Sequence, residues 1–524
     1  MFQIPRKIIF SSGFIFILLI FPIYLMNGDN WDGVHIEFAY IIDDLSGIKT
    51  FLFNSGWYLQ FYLSEFIISA ARYINFPYFK TNGLIVYFFF ILFLYENYFI
   101  SKKIFKLNNN QNIWYLVFIS TFPVFSTLSS SIMTFHFVCF TFSLLALRLI
   151  HTTKNLYILT LCLFILLASF NFNSLIIFIP MLSICYDFLI NNKLKISTKS
   201  LSVFLISAIA ITLRLFFLIP SGVYENYNRV SFASLSNLSF FQFIELIIPF
   251  ISYPAVSFIL SLFFILIIYL CRFKLNQITK KKILDFLKGI SLPILIFISA
   301  IISYLVVFKT TSYAWIILWN SRQSILTCIP LGLFLIIYFN QILNFFAIEN
   351  RFKLKFFNFY MLILIIFNIT IFSSFILNNL NRDIFEKKLI ESLRLNFENS
   401  LDQGTVIIYG ENIPGSYDKE NNKIGIPYRF YELNYLLYKT FMKRDYLVQI
   451  SHSNKNKDFF DGLINTYAQT YENRILYIIG DNLNCHSNIE IETNNFIGKL
   501  NILKNILHLQ NPSVKIKKSK TNCS

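Results

Sequence analysis

Between Gly28 and Asp44 the chain reads GDNWDGVHIEFAYIIDD, which sets Asp29, Asp32, Glu37, Asp43 and Asp44 around His35. Five of the 28 acidic residues of a 524-residue chain thus fall in one short stretch, directly behind a long apolar run. A carboxylate so placed can take a proton from a hydroxyl as a general base, or hold a divalent cation through oxygen ligands. His35 and Glu37 are two residues apart, a poor spacing for two ligands on one helix face. Asp43 and Asp44 also suit a cap on the following turn, Leu45–Lys49. Further along, PSGVYENYNR offers Tyr224, Tyr227 and Arg229, and KTTSYAWIILWNSRQ ends on Arg322. Arginine forks onto phosphate oxygens, and aromatic faces suit sugar rings or an isoprenoid chain. Tyr224 and Tyr227 also fit an aromatic belt at a membrane interface.

These residues must be held by something, and composition says what. The chain is 56% hydrophobic and 14% charged, with 63 Phe and 30 Tyr; its mean hydropathy is +0.57. Apolar runs of the length that crosses a bilayer core, about 20 residues for about 30 Å, recur from Ile8 to Leu377. The sequence therefore predicts a polytopic membrane protein. The net charge of +17 resides largely in short basic loops, so it marks topology and not a nucleic-acid partner. Of the seven cysteines, Cys139, Cys162, Cys185, Cys271 and Cys328 fall in apolar runs and act there as small apolar side chains. Cys485 and Cys523 fall in the polar tail, where a bridge between them stays open. The richness in Phe, Ile, Asn and Lys suggests an AT-rich bacterial genome.

Arg6 and Lys7 precede Ile8–Met26, and no small-residue cleavage site follows, which reads as an uncleaved anchor with a cytoplasmic N-terminus. The acidic stretch then lies outside. Trp57–Ile74 carries Gln60, Glu65 and Arg72; as a crossing helix it would place charge at membrane depth, whereas an amphipathic helix on the outer surface avoids that cost. With the surface reading, Ser101–Lys106, Arg148 to Lys154, Asn191–Lys195, Arg272–Lys282 and Asn350–Lys355 all fall inside. The expected spans are then Ile8–Met26, Leu84–Ile100, Ile113–Leu128, Met133–Ile150, Leu156–Phe170, Leu175–Ile190, Leu201–Ile219, Leu246–Leu270, Leu292–Phe308, Ile325–Ile342 and Phe357–Leu377. Arg214, near the outer end of its span, reads as a snorkelling residue or a binding one, and Asp187 and Glu245 as structural.

From Asn378 the composition turns polar. TVIIYG (Thr405–Gly410) and RILYIIG (Arg474–Gly480) read as buried strands, while ESLRLNFENSL and YRFYELNYLLYKTFMKR have helical spacing. The expected organisation is an all-α polytopic membrane domain of about 11 transmembrane helices over residues 1–378, with residues 27–83 as the first outer loop carrying surface helices. A small α/β domain on the outer face follows over 379–511, and 512–524 reads as a disordered tail. There is no internal repeat, glycine-rich phosphate loop or nucleotide fingerprint.

This layout resembles the GT-C superfamily of integral-membrane glycosyltransferases, through Asp29-Asn30-Trp31-Asp32 just past the first span, the surface helix Trp57–Ile74 in the same loop, and a soluble outer-face domain at the end. The spacing is Asp-x-x-Asp where the family commonly has adjacent acids, so either Asp29 or Asp32 stands as the catalytic base. The resemblance implies an inverting enzyme of a bacterial inner membrane. Its donor is a polyprenyl-phosphate sugar in the lipid bilayer, and its acceptor a glycan, lipid or protein at the periplasmic face. Arg322 and Arg229 would then bind the donor phosphate, with His35, Glu37, Asp43, Asp44, Tyr224 and Tyr227 lining the substrates. No motif demands a cofactor, and a divalent cation on the carboxylates remains the open alternative. Two competing classes are a lipid-linked-glycan flippase or transporter and a glycan polymerase. Transporters place ionisable groups near the midplane and often repeat one half; the spans here read as almost free of charge.

Overall fold

The computed structural model describes residues 3–24, 33–191, 196–221, 259, 262–263, 280–305, 325–345, 350–397, 406–409, 435, 447–450, 476–479, 488–494 and 513–519. It is mostly helical. In chain order the helices are α1 (Gln3–Tyr24), α2 (Gly33–Ile42), α3 (Ser46–Asn54), α4 (Tyr58–Tyr73), α5 (Tyr78–Phe99), α6 (Asn109–Ser120), α7 (Ile132–Thr152), α8 (Leu156–Ser169), α9 (Leu175–Asn191), α10 (Thr198–Phe216), α11 (Lys280–Leu305), α12 (Cys328–Phe345) and α13 (Asn350–Phe397). The expected spans overlap helices, with Ile113–Leu128 broken in two, Leu156–Ser169, Leu175–Phe188 and Gly289–Leu305 apolar but short, and Leu246–Leu270 almost entirely outside the described residues.

Among the described residues six helices are long and apolar enough to cross a membrane, or seven if α6 and the 3-10 turn Pro123–Ser129 form one broken span, bent by 45°. The break has a local cause. Proline has no N–H to give and cannot continue the helix, so α6 ends before Pro123. The chain then re-forms as a turn whose hydroxyls bond back to it: Ser126 Oγ donates to the Pro123 carbonyl at 2.6 Å and Thr127 Oγ1 to Val124 at 2.6 Å. In a bilayer such self-satisfaction is what makes irregular backbone tolerable. At 16 residues α4 is shorter than any of these spans. It is two-faced: Phe61, Ser64, Ile67, Ile68 and Ala71 are buried, while Leu59, Tyr62, Phe66 and Tyr73 are exposed.

The chain divides into two compact units, one of Met1–Phe21, Lys49–Ser129 and Met133–Ser373, the other of Pro22–Ile48, Ser130–Ile132 and Ser374–Ser524. In the first, α9 packs on α10 and α11, α11 on α12, α12 on α6, and α5 on α4 and α6. Its centre is where the phenylalanines go. Phe16 stacks on Phe90 with centroids 3.7 Å apart, and Phe90 meets Phe125 and Phe137 at 5.2 and 5.9 Å. Edge-to-face and offset ring pairs of this kind add to the area they bury.

In the second unit Phe38 of α2 meets Tyr435 edge to face at 6.4 Å. Three short parallel strands, β1 (Val406–Tyr409), β2 (Leu447–Ile450) and β3 (Leu476–Ile479), run in the order β2-β1-β3. The expected strands at Thr405–Gly410 and Arg474–Gly480 contain β1 and β3. An antiparallel pair joins β4 (Asn488–Asn494) to β5 (Ser513–Ser519). β5 falls within 512–524, the stretch that the sequence reads as a tail. The register sets Glu490 opposite Lys517, Glu492 opposite Lys515 and Ile491 opposite Ile516, and opposite charges and apolar pairs across strands stabilise a ladder. The last span and the helical spacing of ESLRLNFENSL join in one element. Composition changes at Asn378, yet α13 runs on to Phe397, because no glycine or proline interrupts it.

Candidate functional site

Of the residues singled out for chemistry, Asp29, Asp32, Tyr224, Tyr227, Arg229 and Arg322 lie outside the described residues. His35, Glu37, Asp43 and Asp44 lie within them. α2 carries the first two on different faces, since residues two apart on a helix do not face each other. Glu37 is buried, 6% exposed, alongside Val34, Ile36 and Ala39, and His35 is half-buried. Asp43 and Asp44 shape the backbone. Asp43 takes φ 57°, the left-handed conformation that commonly ends a helix, and the Asp44 N–H donates to the Ala39 carbonyl at 3.2 Å. The Asp44 carboxylate accepts the Ser46 N–H at 2.9 Å, at the start of α3. Among the described residues no three His, Cys, Asp or Glu converge on a point that would hold a metal.

The first unit brings together a second group of residues at one end of its bundle. Arg214, in the last turn of α10, is only 8% exposed. It does not snorkel. Nη1 donates to the Gly56 carbonyl at 2.7 Å and Nη2 to the Asn171 carbonyl at 2.8 Å, so one guanidinium joins the turn before α4 to the turn between α8 and α9. Gly56 has φ +73°, and a Cβ there would sit 3.0 Å from Nη1 and 3.3 Å from the Leu218 carbonyl; the approach requires glycine. Beside this node His136, near the start of α7, meets Trp57 at 5.5 Å and Phe172 at 4.9 Å, both rings at 90°. The side-chain oxygens of Asn171 and Ser174 are buried and meet no hydrogen-bond partner among the described residues. The visible signals were an arginine inside an apolar run, the NFN turn and Gly56-Trp57; only the fold joins them.

The opposite end holds a different network. Glu96 in the last turn of α5 accepts both Nε (2.7 Å) and Nη2 (3.0 Å) of Arg148 from α7, so the spans are less free of charge than the sequence reading held. His151 Nε2 lies 2.9 Å from Ser183 Oγ, and its Nδ1 lies 3.5 Å from Asp187 Oδ1. The order is that of a nucleophile, base and orienting acid. The hydroxyl, however, is fully buried and also meets Ser200 Oγ at 2.8 Å, while Asp187 Oδ2 accepts the Ser197 N–H at 2.7 Å. Lys199 Nζ donates to the carbonyls of His151 and Thr153 at 3.1 and 2.7 Å. With no reacting atom able to reach Ser183, these bonds tie α7, α9 and α10 together.

No protein-family model, curated protein or solved structure matches the chain.

Proposed function

We propose that the chain is a membrane glycosyltransferase of GT-C type. It transfers a sugar from a polyprenyl phosphate to a glycan, lipid or protein acceptor on the outer face of a bacterial inner membrane, with a small α/β domain over 379–511 on that same face. The observation that carries the reading is the acidic stretch Asp29 to Asp44, five carboxylates behind the first span of a chain with five strongly basic loops elsewhere. Asp43 and Asp44 serve the turn between α2 and α3, and Asp29 and Asp32 are the pair for which proton removal from an acceptor hydroxyl supplies a reason. Two further features support it: α4 is short and two-faced, as an outer surface helix would be, and the turn that introduces it is built into a buried polar node with Arg214. The test is consumption of a polyprenyl-phosphate sugar by the purified full chain in lipid, with and without a chelator. No turnover across a panel of such donors and acceptors would remove the proposal.

The broken span at Pro123 favours the transporter class as a second reading, because discontinuous helices line many transport sites. Against it, the described buried ion pairs lie near helix ends, and the break satisfies its own polar groups. Uptake or flipping of a lipid-linked glycan without sugar transfer would decide for it.

The orientation has its own expected result. An impermeant thiol reagent on intact cells should label a single cysteine at Asn421 and leave one at Lys103 or Lys280 protected; the reverse would invert the threading. A further expected result concerns Arg322, a cation at the outer start of a span, against the usual charge bias. Arg322→Lys keeps the charge and loses the bidentate fork, so activity should fall about tenfold, the order of one charge-assisted hydrogen bond. Full activity with an unchanged donor dependence in that variant would move the phosphate to Arg229.

A further inference from the structure

Arg214 is a buried cation whose described hydrogen bonds go to main-chain carbonyls alone. Among the described residues no carboxylate lies within ion-pair distance of it, unlike Arg148, which has Glu96. Burying a guanidinium against neutral oxygens is expensive next to leaving it at the interface. A residue at the end of an apolar helix had the cheaper alternative of extending outward. The geometry shows what the inward turn achieves. Its two donors are fixed in one plane, so bonding Gly56 and Asn171 together sets the separation of two turns that are 115 residues apart in the chain (171 − 56). Those turns carry Trp57 and Phe172, the two rings that enclose His136 edge-on. Gly56 takes a left-handed φ open to glycine and lacks the Cβ that the approach of Nη1 would exclude. Asn171, whose backbone takes one of the bonds, holds its own side-chain oxygen buried next to the node, with no hydrogen-bond partner among the described residues.

We propose that Arg214 is a positioning residue: it fastens the entry turn of α4 to the α8–α9 turn and thereby holds α4, the helix of the first outer loop, where transfer requires it. The catalytic part of this rests on the glycosyltransferase reading; the fastening does not. Lysine cannot replace it, since one ammonium on a flexible stem does not span two carbonyls in a fixed plane.

The experiment uses the full chain in nanodiscs, with spin labels at Ser69 and Phe216, both exposed, in a background lacking the native cysteines. The parent should give one narrow distance distribution. In Arg214→Ala it should broaden, and millimolar guanidinium should narrow it again by refilling the vacated site. In the same preparations kcat should fall on the order of 10²-fold, the scale of a misplaced reacting group, with the donor KM held within about twofold. Guanidinium should restore kcat in parallel. If Arg214→Ala does not fold, Arg214→Lys serves, with the same broadening, a smaller loss of kcat and no rescue. An unchanged distance distribution overturns the fastening whatever the activity. A broadened distribution with normal kcat overturns the positioning role, and a raised donor KM at constant kcat makes Arg214 a donor-binding residue instead. A parent without transferase activity would remove the glycosyltransferase reading, while the distance measurement would still decide the fastening.

Discussion

On the proposed glycosyltransferase function, replacing Asp29 or Asp32 by asparagine is expected to lower sugar transfer by about 10²–10⁴-fold, the usual cost of losing a general base, or roughly 3–5 kcal/mol of barrier. Asparagine keeps the shape of the side chain and removes its basicity, so the substitution isolates proton transfer from packing. The two variants should differ. The aspartate that takes the proton should account for the larger loss in kcat. Its neighbour, if it orients the acceptor hydroxyl or a cation, should act more through KM. Insertion and detergent stability should be unchanged in both, since a loop carboxylate behind the first span contributes little to helix packing. Asp43→Asn and Asp44→Asn supply the contrast. Asp44 accepts the Ser46 N–H and Asp43 occupies a left-handed position that asparagine also tolerates, so near-normal rates are expected there. Near-normal rates in Asp29→Asn and Asp32→Asn as well would leave the acidic stretch without chemistry and take away the main support for transfer.

What the sequence made legible was whatever a one-dimensional pattern can carry. Apolar run lengths placed the helices, but the expected span Ile113–Leu128 runs straight through Pro123, where the structure breaks it into α6 and a 3-10 turn. The two strands β1 and β3 showed as short apolar runs ending in glycine. Polarity is a weaker guide to where elements end. Asn378 marks a change in composition, but nothing there stops α13, and the lysines of Ser513–Ser519 masked an alternation that pairs with the acidic β4. In the candidate site, α2 reads as an acidic loop until the helix puts Glu37 inward and His35 on another face. Partners distant in sequence were the least accessible. Arg148 reads as one more cation of a basic loop, because the carboxylate that takes it is 52 residues earlier on another helix. The Arg214 node needs three separate turns to come together before it exists at all.

That Arg148 pairing sets the largest effect expected on stability. Glu96 is 1% exposed and accepts two parallel N–H bonds from a guanidinium that also lies 5.4 Å from the Tyr95 ring and 5.5 Å from the Phe99 ring. Removing the carboxylate strips the half-buried cation of its best acceptor while leaving it partly reachable by water, so Glu96→Ala is expected to cost about 1–3 kcal/mol. Arg148→Met strands the fully buried carboxylate and is expected to cost more, about 3–5 kcal/mol. Replacing both together, Glu96→Leu with Arg148→Met, removes the charges and keeps the volume, and buried pairs exchanged in this way are often neutral or better. The double variant should therefore be more stable than either single one, and a double-mutant cycle read by denaturant unfolding in micelles should give a large coupling. Additive losses would mean that the two side chains stabilise the bundle independently and that their bidentate geometry contributes nothing of its own. Because the pair joins the last turn of α5 to α7 at the end of the bundle opposite Arg214, its loss should leave the donor KM of whatever folded protein remains unchanged. A shift in KM would instead show that the two ends of the bundle are coupled.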